Sequence, residues 1–271
     1  MSDQCSGSCS SCSSCGSCGE DKLAQKMGKI SRKIFVLSGK GGVGKSSVAA
    51  AIALKLAASG RKVGLLDADF HGPSQPTLFG AQNQKLGYSE TSGIIPLQVA
   101  GVALLSVGLL LDDPDQAVVW RGPAKMGVLK QLLEDADWGE LDDLLLDFPP
   151  GTGDEILSAC QLIPGEKNAV VVTTPQEVSL ADCRKCLDFC RKLEVNVCGI
   201  VENMSCFVCP DCGKSHALFS ADGGKKLADN YNLKLLAQLP LDPKFMSACD
   251  NGTLADKIAE FPAFDGIVSA L

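Results

Sequence analysis

Apolar residues in this chain come in short unbroken runs, and each run stops at a cluster of Gly, Pro, Asp or Asn. "KIFVLS" starts at Lys33, "KVGLLDAD" at Lys62, "DDLLLDFPP" at Asp142, "NAVVVTTP" at Asn168, "VNVCGIVEN" at Val195 and "LKLLAQLP" at Leu233. Runs of this kind predict strands of a parallel sheet buried on both faces. Between them lie helical stretches. "SVAAAIALKLAASG" closes on Gly60, a residue suited to ending a helix. Further helices are predicted over 122–136, 154–162, 179–193 and 222–231. Strand alternating with helix predicts βαβ units. The fold class is therefore α/β, a single domain over residues 23–271 with a mostly parallel central sheet flanked by helices. In open sheets of this type ligands bind at the carboxyl ends of the strands, where the unusual loops of this sequence fall.

Residues 1–22 break the pattern, being dominated by Ser, Gly and Cys. A segment so poor in apolar groups is predicted to be disordered unless a metal organises it. Composition adds exclusions. With 45% hydrophobic and 21% charged residues the chain suits a soluble globular protein, and its net charge of −7 disfavours general nucleic-acid binding. The opening "MSDQCSGSC" lacks the basic and apolar regions of a secretory signal. "VALLSVGLLL" (102–111) is too short to span a bilayer. The expectation is a cytoplasmic protein with neither a nucleic-acid nor a membrane partner.

The first chemical signal follows the first strand. "GKGGVGKSS" satisfies the P-loop pattern G-x-x-x-x-G-K-[ST] in a strand–loop–helix context. Gly39, Gly41, Gly42 and Gly44 allow the backbone to turn its N–H groups onto phosphate oxygens, and the following helix adds its positive end. Lys45 is predicted to reach the β- and γ-phosphates and the Ser46 hydroxyl to ligate Mg²⁺, with Lys40, Val43 and Ser47 completing the nucleotide-binding stretch. Asp67, Asp69 and Asp147 end neighbouring strands, where carboxylates can hold Mg²⁺ directly or through water.

"KGGVGK" resembles the deviant Walker A motif of the MinD/ParA/nitrogenase-iron-protein ATPases. That resemblance implies an ATP-hydrolysing homodimer in which Lys40 reaches the partner's nucleotide. It also implies that Asp147 is the Walker B aspartate, Asp69 orients the attacking water and Asp67 belongs to the Mg²⁺ shell. "DADFHGPSQP", "VVWRGPAKMGVLKQLL", "LLDFPPGTGDE", "TTPQEVSLADCRK" and "VENMSCFVCPDCG" narrow it further. Together they resemble the Mrp-type ATP-binding iron–sulfur carriers over residues 34–271. The resemblance implies that Asn203 binds the adenine edge, with Pro175 and Gln176 near the base. It implies that Cys209 and Cys212 from two chains hold one bridging [4Fe–4S] cluster, which passes to apo iron–sulfur proteins.

Fourteen cysteines in a cytosolic chain favour metal binding over disulfides. They fall into groups. Cys209 and Cys212 provide two of the four thiolates such a cluster takes. Cys206, Cys209, Cys212 and His216 also read as a Cys₃His zinc site within one chain. Cys9, Cys12, Cys15 and Cys18 recur at every third position, near the ferredoxin spacing, and are candidates for an N-terminal [4Fe–4S] cluster. Cys5 makes the choice of four ambiguous. Cys183, Cys186 and Cys190 fall on one apolar face of a helix and are predicted to be core. Cys160, Cys198 and Cys249 are predicted to be core as well. His71 follows Asp69 and is read as incidental. Two other functions compete with a cluster carrier: a positioning ATPase of the ParA/MinD type, and a nucleotide-gated electron donor.

Overall fold

The described chain begins with helix α1 (Cys15–Gly28) and strand β1 (Ile30–Leu37), which leads through the Gly-rich loop into α2 (Lys45–Ala58). This is a computed structural model that describes residues 15–111, 113 and 122–271, with side chains from Lys22 onward. After β2 (Val63–Asp67) come the short α3 (Gln75–Leu78), the strands β3 (Gly87–Ser89), β4 (Gly93–Ile95), β5 (Leu97–Val99) and β6 (Val102–Ser106), and α4 (Gly122–Asp135). Three strand–helix pairs follow: β7 (Leu141–Asp147) with α5 (Asp154–Leu162), β8 (Asn168–Thr173) with α6 (Glu177–Lys192), and β9 (Asn196–Glu202) with, after the small hairpin β10 (Phe207–Val208) and β11 (Ser215–His216), α7 (Gly223–Tyr231). The chain closes with β12 (Leu235–Gln238), α8 (Pro243–Asp250), α9 (Leu254–Lys257) and α10 (Asp265–Ala270).

The main sheet has eight strands in the order β12-β9-β8-β1-β7-β2-β6-β5, and only β5 runs antiparallel to its neighbour. β1 sits in the middle, with Ile30 opposite Leu141 on one side and Ile34 opposite Asn168 on the other. Its side chains alternate between the faces, as the pleat requires. Phe35 and Leu37 join one core with residues of α1, α4, α5, α6 and α7. Ile34 and Val36 join the other with α2, α8, α9 and α10. Hence the runs that are apolar on both faces: every central strand is covered twice.

Helix α1 spans the junction between the Cys-rich segment and the predicted domain. It begins at Cys15, inside the segment predicted to be disordered. Leu23 and Met27, four residues apart, are buried in the first core, and Lys26 Nζ donates to the Ala136 carbonyl at 2.7 Å. These contacts all fall within residues 23–271. Cys5, Cys9 and Cys12 lie outside the described residues, as does Arg121 of the "WRGP" string, and the side chains of Cys15 and Cys18 are likewise outside them. Among the described residues no helix is long and apolar enough to cross a membrane.

Candidate functional site

The carboxyl ends of β1, β2 and β7 meet at the Gly-rich loop, where parallel pairing sets Val36 and Asp67 beside Asp147. Two glycines show why the loop needs its composition. A Cβ on Gly39 would lie 2.3 Å from the Asp182 carbonyl carbon, so α6 packs directly on the loop's backbone. Gly44 caps α2 at φ +80°, and a Cβ there would meet Asn203 Nδ2 at 2.3 Å. Such a φ strains any side chain other than glycine. Ser38, Lys40, the loop, Asp69 and Pro150 line a cavity of about 290 Å³.

Beneath this cavity lies a buried polar network. Lys45 is 6% exposed; its Nζ donates to Asp147 Oδ1 and, at 3.2 Å, to Ser46 Oγ. Asp67 and Asp147 are fully buried side by side. Asp67 accepts from the backbone N–H groups of Asp69 (3.2 Å) and Gln75 (3.1 Å) and from Ser106 Oγ (3.0 Å). Burial, then the adjacent Asp147 carboxylate, pushes the Asp67 carboxyl up to about 8. Gln75 Nε2 donates to Asp147 Oδ2 at 2.7 Å and to the Ser46 carbonyl at 3.0 Å, while Gln75 Oε1 is buried with no partner. The donor set around Ser46 Oγ and Asp147 is all oxygen, the chemistry Mg²⁺ takes, and the orphaned Gln75 oxygen leaves an acceptor for a metal's water. The residues present thus fit a Mg²⁺ ion. Gln75 and Ser106 escaped the sequence reading, because a single buried amide or hydroxyl leaves no spacing signal.

The structure places the other predicted residues as follows. Lys40 is exposed at the lip of the cavity and has no ion-pair partner among the described residues. Asp69 is half-buried on the cavity wall and caps the turn through Gly72 N–H at 3.3 Å. Asn203 is nearly buried behind the loop. Its Nδ2 donates to the Val43 carbonyl at 2.9 Å and its Oδ1 accepts from Met204 N–H at 2.9 Å, so its amide braces the loop. An adjoining cavity of about 190 Å³ touches Gly44 and Asn203 and is walled by Pro240, Leu241, Phe245 and Met246; Pro175 and Gln176 are not in its lining. His71 is exposed.

The CPDC stretch forms the tip of the β10–β11 hairpin. Gly213 turns at φ +68°, Cys209 N–H donates to the Lys214 carbonyl and Gly213 N–H to the Cys209 carbonyl, both at 2.9 Å. The N–H groups of Cys212 and Asp211, with the Cys212 side chain, face the Cys209 sulfur and lower its pKa. Cys209 is half-buried and Cys212 exposed. His216 pairs across the hairpin with Phe207. No three His, Cys, Asp or Glu side chains among the described residues form a metal-holding group, so the Cys₃His alternative is not assembled within one chain. The hairpin's base is tied to the wall of the second cavity: Leu241 N–H donates to the Cys206 carbonyl at 2.7 Å and Ser205 N–H to that of Leu239 at 2.9 Å. Cys183, Cys186 and Cys190 are wholly buried, and Cys249 nearly so; Cys160 and Cys198, expected in the core, are only half-buried.

Residues 29–269 match the ParA family, described as NUBPL iron-transfer P-loop NTPase. The chain is 48% identical over 232 residues to an iron-sulfur cluster carrier protein of Saccharolobus solfataricus, covering 85% of this chain and 78% of that one. It is 45% identical over 238 residues to the cytosolic Fe-S cluster assembly factor CFD1 of Kluyveromyces lactis, covering 85% and 84%. Among solved structures, a nucleotide-binding protein from Archaeoglobus fulgidus in complex with ADP superposes with a TM-score of 0.78 at 38% identity, covering 88% of this chain and 93% of that one.

Proposed function

This chain belongs to the NUBPL iron-transfer P-loop NTPase family, and from that premise we propose that it is an ATP-hydrolysing carrier that receives [4Fe–4S] clusters and passes them to apo iron–sulfur proteins. The relatives' names, an iron-sulfur cluster carrier and a cytosolic assembly factor, support this over a positioning ATPase or an electron donor, and support a cytosolic setting.

The loop N–H groups and the α2 terminus hold the phosphates in the larger cavity, and Lys45 moves from Asp147 to the β- and γ-phosphates. Ser46, Asp147 and, behind them, Asp67 hold Mg²⁺, which when bound neutralises phosphate charge. Asp69, on the cavity wall, orients the attacking water. Lys40, exposed at the lip, serves the nucleotide of a second copy of the chain. The base lies in the cavity walled by Pro240–Met246, with Asn203 bracing the loop beside it.

The cluster is cargo. The observation that carries the reading is the hairpin tip: each chain offers two accessible thiols, with Cys209 biased toward the thiolate by two backbone N–H groups. A four-thiolate shell then needs two chains. Because the hairpin's base is bonded to the wall of the base cavity, nucleotide binding and cluster release share a structural element. Anaerobic reconstitution of the wild type and of a Cys209→Ser, Cys212→Ser variant tests this. The wild type is expected to dimerise with one labile cluster per dimer and to activate an apo acceptor; the variant loses that cluster. Undiminished iron at the bridge in the variant would refute the assignment.

A further inference from the structure

The geometry points to Gln75 as a positioning residue of the cation site, a role that rests on the nucleotide reading above. Gln75 opens helix α3, directly after the loop that carries Asp69, and none of it is exposed. Three of its hydrogen bonds reach three different parts of the site. Its backbone N–H holds Asp67, and its Nε2 holds both the Ser46 carbonyl and Asp147 Oδ2. Its Oε1 is buried and accepts nothing. An unpaired buried oxygen of this kind is destabilising, and it calls for a specific explanation.

The surroundings supply one. The hydrogen-bond partners of the side-chain amide are acceptors, the Asp147 carboxylate and the Ser46 carbonyl, while Asp67 takes the backbone N–H. The one strong donor, Lys45, is already placed on Asp147 and Ser46. Oε1 has no protein donor, and a hydrated Mg²⁺, which keeps several of its waters, would bring O–H donors to the site. The other half of the amide does separate work. Once Lys45 turns to the phosphates, Nε2 remains on Asp147 Oδ2 and fixes which carboxylate oxygen faces the cation. An apolar side chain would fill the same space and supply neither the donor nor the acceptor. Gln75 also joins the Asp69 loop to the Ser46 backbone, so the water-orienting residue and the metal site move as one unit.

Partners that orient a metal ligand typically change metal affinity by about 10–100-fold when removed. The test uses the full chain, a fluorescent ADP and a Mg²⁺ titration, with Gln75→Leu and the unbranched Gln75→Met as variants. We expect ADP affinity without Mg²⁺ to fall less than ADP affinity with it. The Mg²⁺ concentration needed to strengthen ADP binding should rise about tenfold or more. The melting temperature of the ligand-free chain should fall only modestly, since the loss of the donor to Asp147 Oδ2 and the Ser46 carbonyl is partly offset by removal of the orphaned oxygen. An unchanged Mg²⁺ midpoint in both variants would overturn the proposal. So would an equal loss of ADP affinity with and without Mg²⁺, or loss of the fold in both variants, each of which would make Gln75 a structural brace. A wild type whose ADP affinity ignores Mg²⁺ would overturn the nucleotide reading, and this proposal with it.

Discussion

Lys45 is paired with Asp147 in a site where Asp67 is also buried, so its removal has two consequences. Lys45→Ala is expected to lower ATP turnover at least hundredfold. It should also destabilise the fold by about 3–5 kcal/mol, because a buried carboxylate is left without its cation. Adding Asp147→Asn should restore stability but not turnover, and denaturant melts beside a phosphate-release assay would separate the two. The sequence alone marked Lys45 as a phosphate ligand but not its structural share, which depends on β1 and β7 being neighbours. The thiols of α6 give a second residue-scale outcome. Burial pushes Cys183 up to about 12, while an unfolded thiol ionises near ~8.5. Above that value the unfolded chain sheds a proton that the folded chain keeps, so stability falls as pH rises, by up to about 1.4 kcal/mol per pH unit for such a thiol. Melting curves from pH 8 to 11 should show this slope, and Cys183→Ala should flatten it. A Cys183→Ala slope identical to the wild type would contradict the assignment of Cys183 to the core.

At the scale of elements, the long apolar runs and the 3.6-residue patterns were legible because burial on both faces of a sheet writes itself directly into sequence. Helix α5 occupies the predicted 154–162, and α4 and α7 differ from prediction by one residue. The shortest elements were not legible. The β10–β11 hairpin has two residues per strand and α3 has four in all, too few to show a period. Helix α1 was hidden for another reason: its cysteine-, serine- and glycine-rich start masks the Leu23–Met27 pair that anchors it. The P-loop was fully legible as a motif, but its brace from Asn203 was not, since that contact joins residues far apart in the chain. It leads to an element-scale prediction. Gly44→Ala combines a strained φ, costing about 1–3 kcal/mol, with a clash against Asn203 Nδ2. ADP affinity should fall at least tenfold while circular dichroism stays near that of the wild type. Native-like ADP binding would show that the loop can relax around a side chain.

For the whole molecule, two groups of cysteines are candidates for holding iron, and the start of α1 decides how to separate them. Cutting the chain before Lys22 would remove the first turns of α1, which is anchored in the core. Serine at Cys5, Cys9, Cys12, Cys15 and Cys18 leaves that helix in place. This five-serine chain is expected to dimerise and to reconstitute one labile cluster per dimer through Cys209 and Cys212, with less total iron than the wild type. Light scattering and iron analysis check both, and equal iron in the two proteins would show that the N-terminal cysteines hold none.

The position of β1 in the sheet has a further consequence, one that concerns synthesis. β1 leaves the ribosome well before both of its sheet partners, β7, beginning at Leu141, and β8, beginning at Asn168. Until both emerge, Phe35, Val36 and Leu37 have no sheet to join, and the growing chain displays an apolar strand with open edges. Pairings this distant in sequence form slowly, and the exposed intermediates are prone to aggregate. The nucleotide cradle, framed by β1, β2 and β7, therefore cannot form before β7 has emerged. A nascent chain that has released β1 but not β7 and β8 is expected to need shielding from aggregation.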